Sequence, residues 1–286
     1  MKYFVTVSVV FLIYVIIFIS GCTKNYSQDI ESRRIVGLID YIIGDYHLAV
    51  NNKKEVISQE EWLEMKVFSA SVQDLFISYC SNADKNTSKN NQDISNQMKI
   101  LQELIYNKAS PSVIQEKAKL IKDNLLVSMN LSLVPEGRVN LSVGKNIFNN
   151  NCKSCHGFNG KGDTPIGQNL YPRPKNLLEQ REHLSAFKVF NLLHTGIADT
   201  SMVSFAGVLS DKEMWDVSFY VLALPYLNYK NKIKLFDIGD KITLKDLTVL
   251  SDNELIASVK QKYNDYKFHD VNREEILSFL RVSSIA

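Results

Sequence analysis

The sequence predicts an all-α protein in three parts: an N-terminal helical bundle, a small helical domain built round a Cys-x-x-Cys-His motif, and a short helical C-terminal extension. Three observations carry this. Over about 29–130, apolar residues recur at spacings of three and four with no strand-like alternation. Helix-start signals recur at Ser58-Gln59-Glu60-Glu61, Ser110-Pro111 and Ser210-Asp211-Lys212-Glu213. The motif Cys152-Lys153-Ser154-Cys155-His156 stands between a helix-like run and a Gly-rich turn. The expected divisions are a leader at 1–22, a bundle at 29–130, the motif domain at 137–228 and the extension at 229–286. A net charge of +2 is too small to imply a nucleic-acid partner, and neither a phosphate-binding loop nor a basic patch interleaved with aromatics appears.

The N-terminus opens with Lys2 and an apolar run over residues 3–19, followed by Ser20-Gly21-Cys22 and then polar Thr23-Lys24-Asn25. Small residues ahead of a Cys at the end of such a run look like a bacterial lipobox, with Cys22 acylated and becoming the mature N-terminus. The alternative is a single uncleaved N-terminal transmembrane helix, for which the run is just long enough. Both put the globular part on the periplasmic side of a bacterial membrane.

In the bundle, the first helix is expected over 32–46, with Ile35, Leu38, Ile39 and Ile42 forming its apolar stripe. The second starts near Ser58 and carries Trp62, Met65, Phe68, Val72, Leu75 and Phe76. A polar loop at 81–91 precedes the third helix, 94–106, and Ser110-Pro111 opens a fourth that runs to about Met129. Short loops between four such helices imply an antiparallel bundle. Cys80, beside Phe76 and Tyr79, reads as a small buried hydrophobe. Among the carboxylates, Asp40 and Asp45 are five apart and do not share a narrow face, whereas Glu61 and Glu64 do. An acidic iron site from Asp45 and Glu64 is one reading and surface solvation the other; no Glu-x-x-His accompanies them.

Two thiols and an imidazole at the spacing of Cys152, Cys155 and His156 fit the edge of one haem. Each thiol can add across a vinyl group to form a thioether, and the adjacent His can reach the iron. A redox dithiol needs no neighbouring His, and no second Cys-x-x-Cys completes a zinc set. Upstream, Gly144 and Phe148 lie four apart on one helix face. Downstream, Tyr171-Pro172-Arg173-Pro174 is a stiff segment able to offer His156 Nδ1 a carbonyl acceptor. The capping box at Ser210 and Glu213 opens a helix that places Val217 and Tyr220 on one face.

At these positions residues 137–228 resemble a class I cytochrome c, whose first helix crosses its last through a small residue and an aromatic. That resemblance implies one covalent haem c and a Met ligand in a loop shortly before the last helix. Met202, in Thr195 to Phe205, is the match. The family has Pro after this Met, whereas here Val203 follows, which predicts a less rigid loop and a more labile bond to iron. A thioether ligand favours ferrous iron and suits a one-electron carrier. Met214 is the rival and is expected to pack in the last helix. His194 is expected to serve the exposed carbonyls at a helix end, and His47, His183 and His269 are expected on the surface.

The strings at 38–46, Ala49-Val50, 61–65, 250–255 and 277–281 resemble the periplasmic part of bacterial iron permeases fused to a cytochrome c domain. In that family a polytopic permease follows; here the chain stops at Ala286, which implies a permease on a separate polypeptide, or a remnant gene. The resulting expectation is an extracytoplasmic electron carrier with no catalytic residue of its own. It would meet a redox partner protein and, by the resemblance, an iron-uptake permease. The alternatives are a cytochrome subunit of another oxidoreductase chain and a haem-based sensor or binding module.

Overall fold

The computed structural model describes residues 28–82, 89–197, 200–229, 241–263, 272–283 and 285. Two compact units divide the chain, Met1–Leu131 and Ser132–Ala286. Among the described residues the secondary structure is helical, apart from isolated bridges pairing Val50 with Val56 and Ala206 with Leu209. The leader with Cys22, and His269, lie outside the described residues, within which no helix is long and apolar enough to cross a membrane.

The first unit is a four-helix bundle: α1 (28–49), α2 (Gln59–Asn82), α3 (Lys89–Tyr106) and α4 (Pro111–Ser128). On α1 the buried stripe is Ile35, Val36, Ile39, Ile42 and Tyr46, while Leu38 is only half-buried. Polar bonds fix the antiparallel order. The end of α1 meets the start of α4 through Tyr46 Oη, which donates to the Ala109 carbonyl at 2.9 Å, and Asp40 further back accepts from Lys122 Nζ at 2.6 Å. Trp62, at the start of α2, donates to the Ile105 carbonyl at the end of α3, and Ser128, at the end of α4, bonds Asn91 near the start of α3. Cys80 is buried beside Phe76, as its apolar context predicts.

In the second unit Asn140 caps α5 (Leu141–Ile147), accepting from the amides of Ser142 and Val143. A widened π-helical turn (Phe148–Cys152) leads into α6 (Lys153–His156); α7 (Pro165–Asn169) and α8 (Leu177–Gln180) are single turns. The core is made by α9 (Ala186–Thr195) and α10 (Asp211–Ala223), which pack together with α5 crossing α10. At that crossing a Cβ on Gly144 would run into the carbonyl of Asp216 and the Cβ of Tyr220, so only Gly permits the approach. Phe148 then packs against Tyr220 at 5.6 Å between ring centroids, and Asp216 accepts from the Asn140 amide at 2.8 Å. The expected box is present on α10: Ser210 accepts from Glu213 N–H, and Glu213 accepts from Ser210 N–H.

The C-terminal helices belong to this second unit. α11 (Leu244–Val249) packs on α9, while α12 (Asp252–Lys262) and α13 (Arg273–Ser278) pack on each other, and a last π-helical turn (Phe279–Ser283) reaches α10. Arg281, wholly buried, ties them together: it donates to Asp252 at 2.9 Å and to the carbonyls of Leu247 and Leu250. Tyr226, after α10, donates to the other Asp252 oxygen at 2.7 Å.

Candidate functional site

Cys152 ends the π-helical turn and Cys155 and His156 lie on the next, so the three side chains share one short stretch of helix. π-Helical turns recur at functional sites because the extra residue redirects the side chains that follow. Gly157, at φ 78°, ends the stretch in a conformation that L side chains disfavour. The two thiols are not joined in a disulfide. Burial, and then the neighbouring Cys155, push the Cys152 thiol up to about 11, so it rests in the protonated form. Burial lowers the His156 pKa and favours the neutral imidazole, the form with a lone pair to give a metal.

The motif's backbone is held from downstream. Thr164 Oγ1 donates to the Ser154 carbonyl at 2.8 Å and lies 3.1 Å from that of Cys155, while accepting from the Gly167 amide as the cap of α7. The Gly162 amide donates to the His156 carbonyl at 2.8 Å. Thr164 was missed from sequence; the signal was the pair Thr164-Pro165, an N-cap followed by Pro at the first helical position. The acceptor expected for His156 Nδ1 is not supplied: that atom is buried with no hydrogen-bond partner. The Pro174 carbonyl instead lies over Gly162, where an added Cβ would come within 2.5 Å of it.

Met202 is half-buried on a loop pinned to the end of α9. Its carbonyl accepts from the Ile197 amide at 2.9 Å, Ser204 Oγ donates to the His194 carbonyl at 2.6 Å, and Phe205 N–H donates to the Leu193 carbonyl at 2.8 Å. Gly196, at φ 67°, permits the close return of the loop segment bearing Met202. The loop therefore has local fastening despite Val203 in place of Pro. Met214 is buried in the first turn of α10, as expected of a packing residue.

Residues 141–225 form a cytochrome c domain. The match is to the family described as cytochrome c, and residues 23–131 match the iron permease-associated 4-helix bundle domain. No curated protein and no solved structure matches the chain. A cytochrome c domain implies covalently bound haem c, a cofactor typical of extracytoplasmic proteins. The residues present fit it: two thiols outside any disulfide precede an imidazole that burial keeps toward its neutral form and whose buried Nδ1 has no hydrogen-bond partner.

The remaining histidines divide differently from expectation. His47 and His183 are exposed, but His194 is 3% exposed, with its ring against Phe190 and its Nε2 3.8 Å from Asp211. The aromatic face of α9 turns it inward, where Phe190 stacks on Trp215 at 4.0 Å. In the bundle, Asp45 is half-buried and Glu64 exposed, and both lie near enough to Tyr41 to raise its pKa. Burial is the larger cause of that rise, to about 12. Asp40 is instead paired with Lys122. Among the described residues no group of three or more His, Cys, Asp or Glu side chains is placed to hold a metal ion.

Proposed function

We propose that this chain is a periplasmic monohaem c-type cytochrome that passes single electrons beside an iron-uptake permease. Cys152 and Cys155 would hold the haem through thioethers, His156 and Met202 would ligate its iron, and Cys22 would carry the lipid that holds the protein to the membrane. The observation that carries this reading is the turn Cys152 to His156, with its two thiols outside any disulfide and burial favouring the neutral imidazole of His156.

The haem supplies a one-electron ferric–ferrous couple; the chain supplies its placement. The π-helical turn and α6 aim the ligating side chains, and Thr164 holds their carbonyls. The pinned loop brings a soft thioether that favours the reduced state. Ferrous iron destined for the permease loses one electron to become ferric, and a downstream redox protein takes that electron onward. The match of the bundle to an iron permease-associated domain supports the iron-linked role.

The deciding experiment is acid–acetone extraction followed by a haem stain on a denaturing gel. Haem should stay with the wild-type polypeptide and be lost when Cys152 and Cys155 are both replaced by Ser; a colourless wild-type band would refute the assignment. Fatty-acid labelling that disappears in Cys22→Ser would establish the anchor, and equal labelling of both proteins would favour a transmembrane helix.

A further inference from the structure

Asn191 is 2% exposed on α9, and neither its Nδ2 nor its Oδ1 has a hydrogen-bond partner. Among the described residues it is the one side chain that leaves two buried polar atoms in this state. Burying an amide without partners is costly, and a Leu of similar size would fill the position without that cost. Its own backbone is satisfied, the carbonyl accepting from Thr195 Oγ1 at 2.9 Å, so the unmet demand belongs to the side chain alone.

Its surroundings indicate what meets that demand. Asn191 lies one turn before the residues that pin the Met202 loop and directly follows Phe190, which stacks on Trp215. Two other unmatched buried atoms of this unit are Asn149 Oδ1, on the π-helical turn that leads into the motif, and His156 Nδ1 within it. By contrast, α11 to α13 satisfy even a wholly buried Arg281, and no unmatched buried side-chain atom falls on them among the described residues. In this second unit the unmatched atoms of Asn149, His156 and Asn191 thus fall on the elements that carry the motif and the Met202 loop, and not on the C-terminal helices.

We infer that Asn191 is a positioning residue for the cofactor, its Nδ2–H donating to a propionate carboxylate of haem c. This rests on the haem reading above. The donor offsets the carboxylate's negative charge near the iron and so raises the reduction potential; it also resists loosening of the haem on the α9 side.

The test uses the haem-loaded protein with Asn191→Leu and Asn191→Ser, measuring midpoint potential, chemical denaturation and the visible spectrum. A wild type without a covalent-haem spectrum would refute the haem reading itself, before Asn191 is tested. If Asn191 holds a propionate, both substitutions lower the potential, Asn191→Leu lowers the denaturation midpoint, and the sulfur-to-iron charge-transfer band is unchanged. An Asn191→Leu protein that is more stable at unaltered potential would overturn the inference, since removing an amide with no partner should stabilise. Lower stability at unaltered potential would also overturn it and make Asn191 a packing residue. A changed charge-transfer band would move the contact to the Met202 sulfur and overturn the propionate assignment. Should Asn191→Leu fail to fold, the potential of Asn191→Ser decides: a fall supports the contact and no change overturns it.

Discussion

Arg281 donates from Nε to Asp252 at 2.9 Å with neither side chain exposed to solvent. Its two remaining nitrogens are taken up by the Leu247 and Leu250 carbonyls, so a wholly desolvated cation has every group bonded. Removing one partner of such a pair leaves the other charge buried, at a cost of about 3–5 kcal/mol. Arg281→Met and Asp252→Asn should each lose about that much in urea denaturation, and the double variant should lose clearly less than the sum. Additive losses would show that the two residues do not act as a pair.

The crossing at Gly144 predicts a steric effect of opposite origin. Any side chain there meets the Asp216 carbonyl, which belongs to helix backbone and cannot move aside cheaply. Gly144→Val should cost at least about 1–3 kcal/mol and reduce the yield of haem-loaded protein. Unchanged stability would mean that α5 and α10 separate more readily than the packing implies.

Met202 and Met214 should part company. Met202→Ala is expected to open a coordination position, lower the midpoint potential and leave the fold almost as stable, because the residue is half-buried on a loop. Met214→Ala should cost about 2–5 kcal/mol by leaving a cavity in α10 while the spectrum stays the same. Visible spectra and melts of the two proteins check this, and reversed behaviour would reassign the ligand.

In the bundle, Tyr41 reports on Asp45 and Glu64. Its pKa stands at about 12 through burial first and these two charges second. Asp45→Asn with Glu64→Gln should lower it while leaving it above the ordinary 10.0, read by ultraviolet titration of the tyrosinate. If the pair also presents ferrous iron, the same variant should lose saturable reduction by ferrous iron yet keep its rate with a metal-independent donor. Reduction by iron that never depends on these carboxylates would make the bundle a docking or structural element.

The capping box on α10 carries a pH signature. The Ser210 backbone N–H, and then its hydroxyl, hold the Glu213 carboxyl below the ordinary 4.5. With the folded value the lower one, the stabilisation is fully present above 4.5 and fades as the pH falls through the folded value. Glu213→Gln should therefore be less stable than wild type near neutrality and converge with it in acid. Ser210→Ala should cost about 1 kcal/mol at neutral pH.

Local signals made the helices and the haem motif legible. The apolar stripes of α1 and α2 and the start signals of α2, α4 and α10 depend on neighbours within a turn or two, and Cys152, Cys155 and His156 are close in the chain. What escaped depends on partners far apart in sequence. Nothing in the sequence marks Arg281 as buried, since Asp252 and two distant carbonyls enclose it, and the burial of His194 beside Phe190 depends on Trp215 from another helix. The missing acceptor at His156 Nδ1 was equally invisible, since the path of Pro174 over Gly162 is set by the tertiary fold.

The fastening of the Met202 loop to α9 has a mechanical corollary. α9 is a single helix that holds the loop at its end through the Leu193 and His194 carbonyls and packs against α11. A partner that shifted α11 would act on the Met202 loop through α9 as one lever rather than through a chain of soft contacts. On the ligation proposed above, the same lever would work in reverse, and tension at the iron–sulfur bond would be felt at α11.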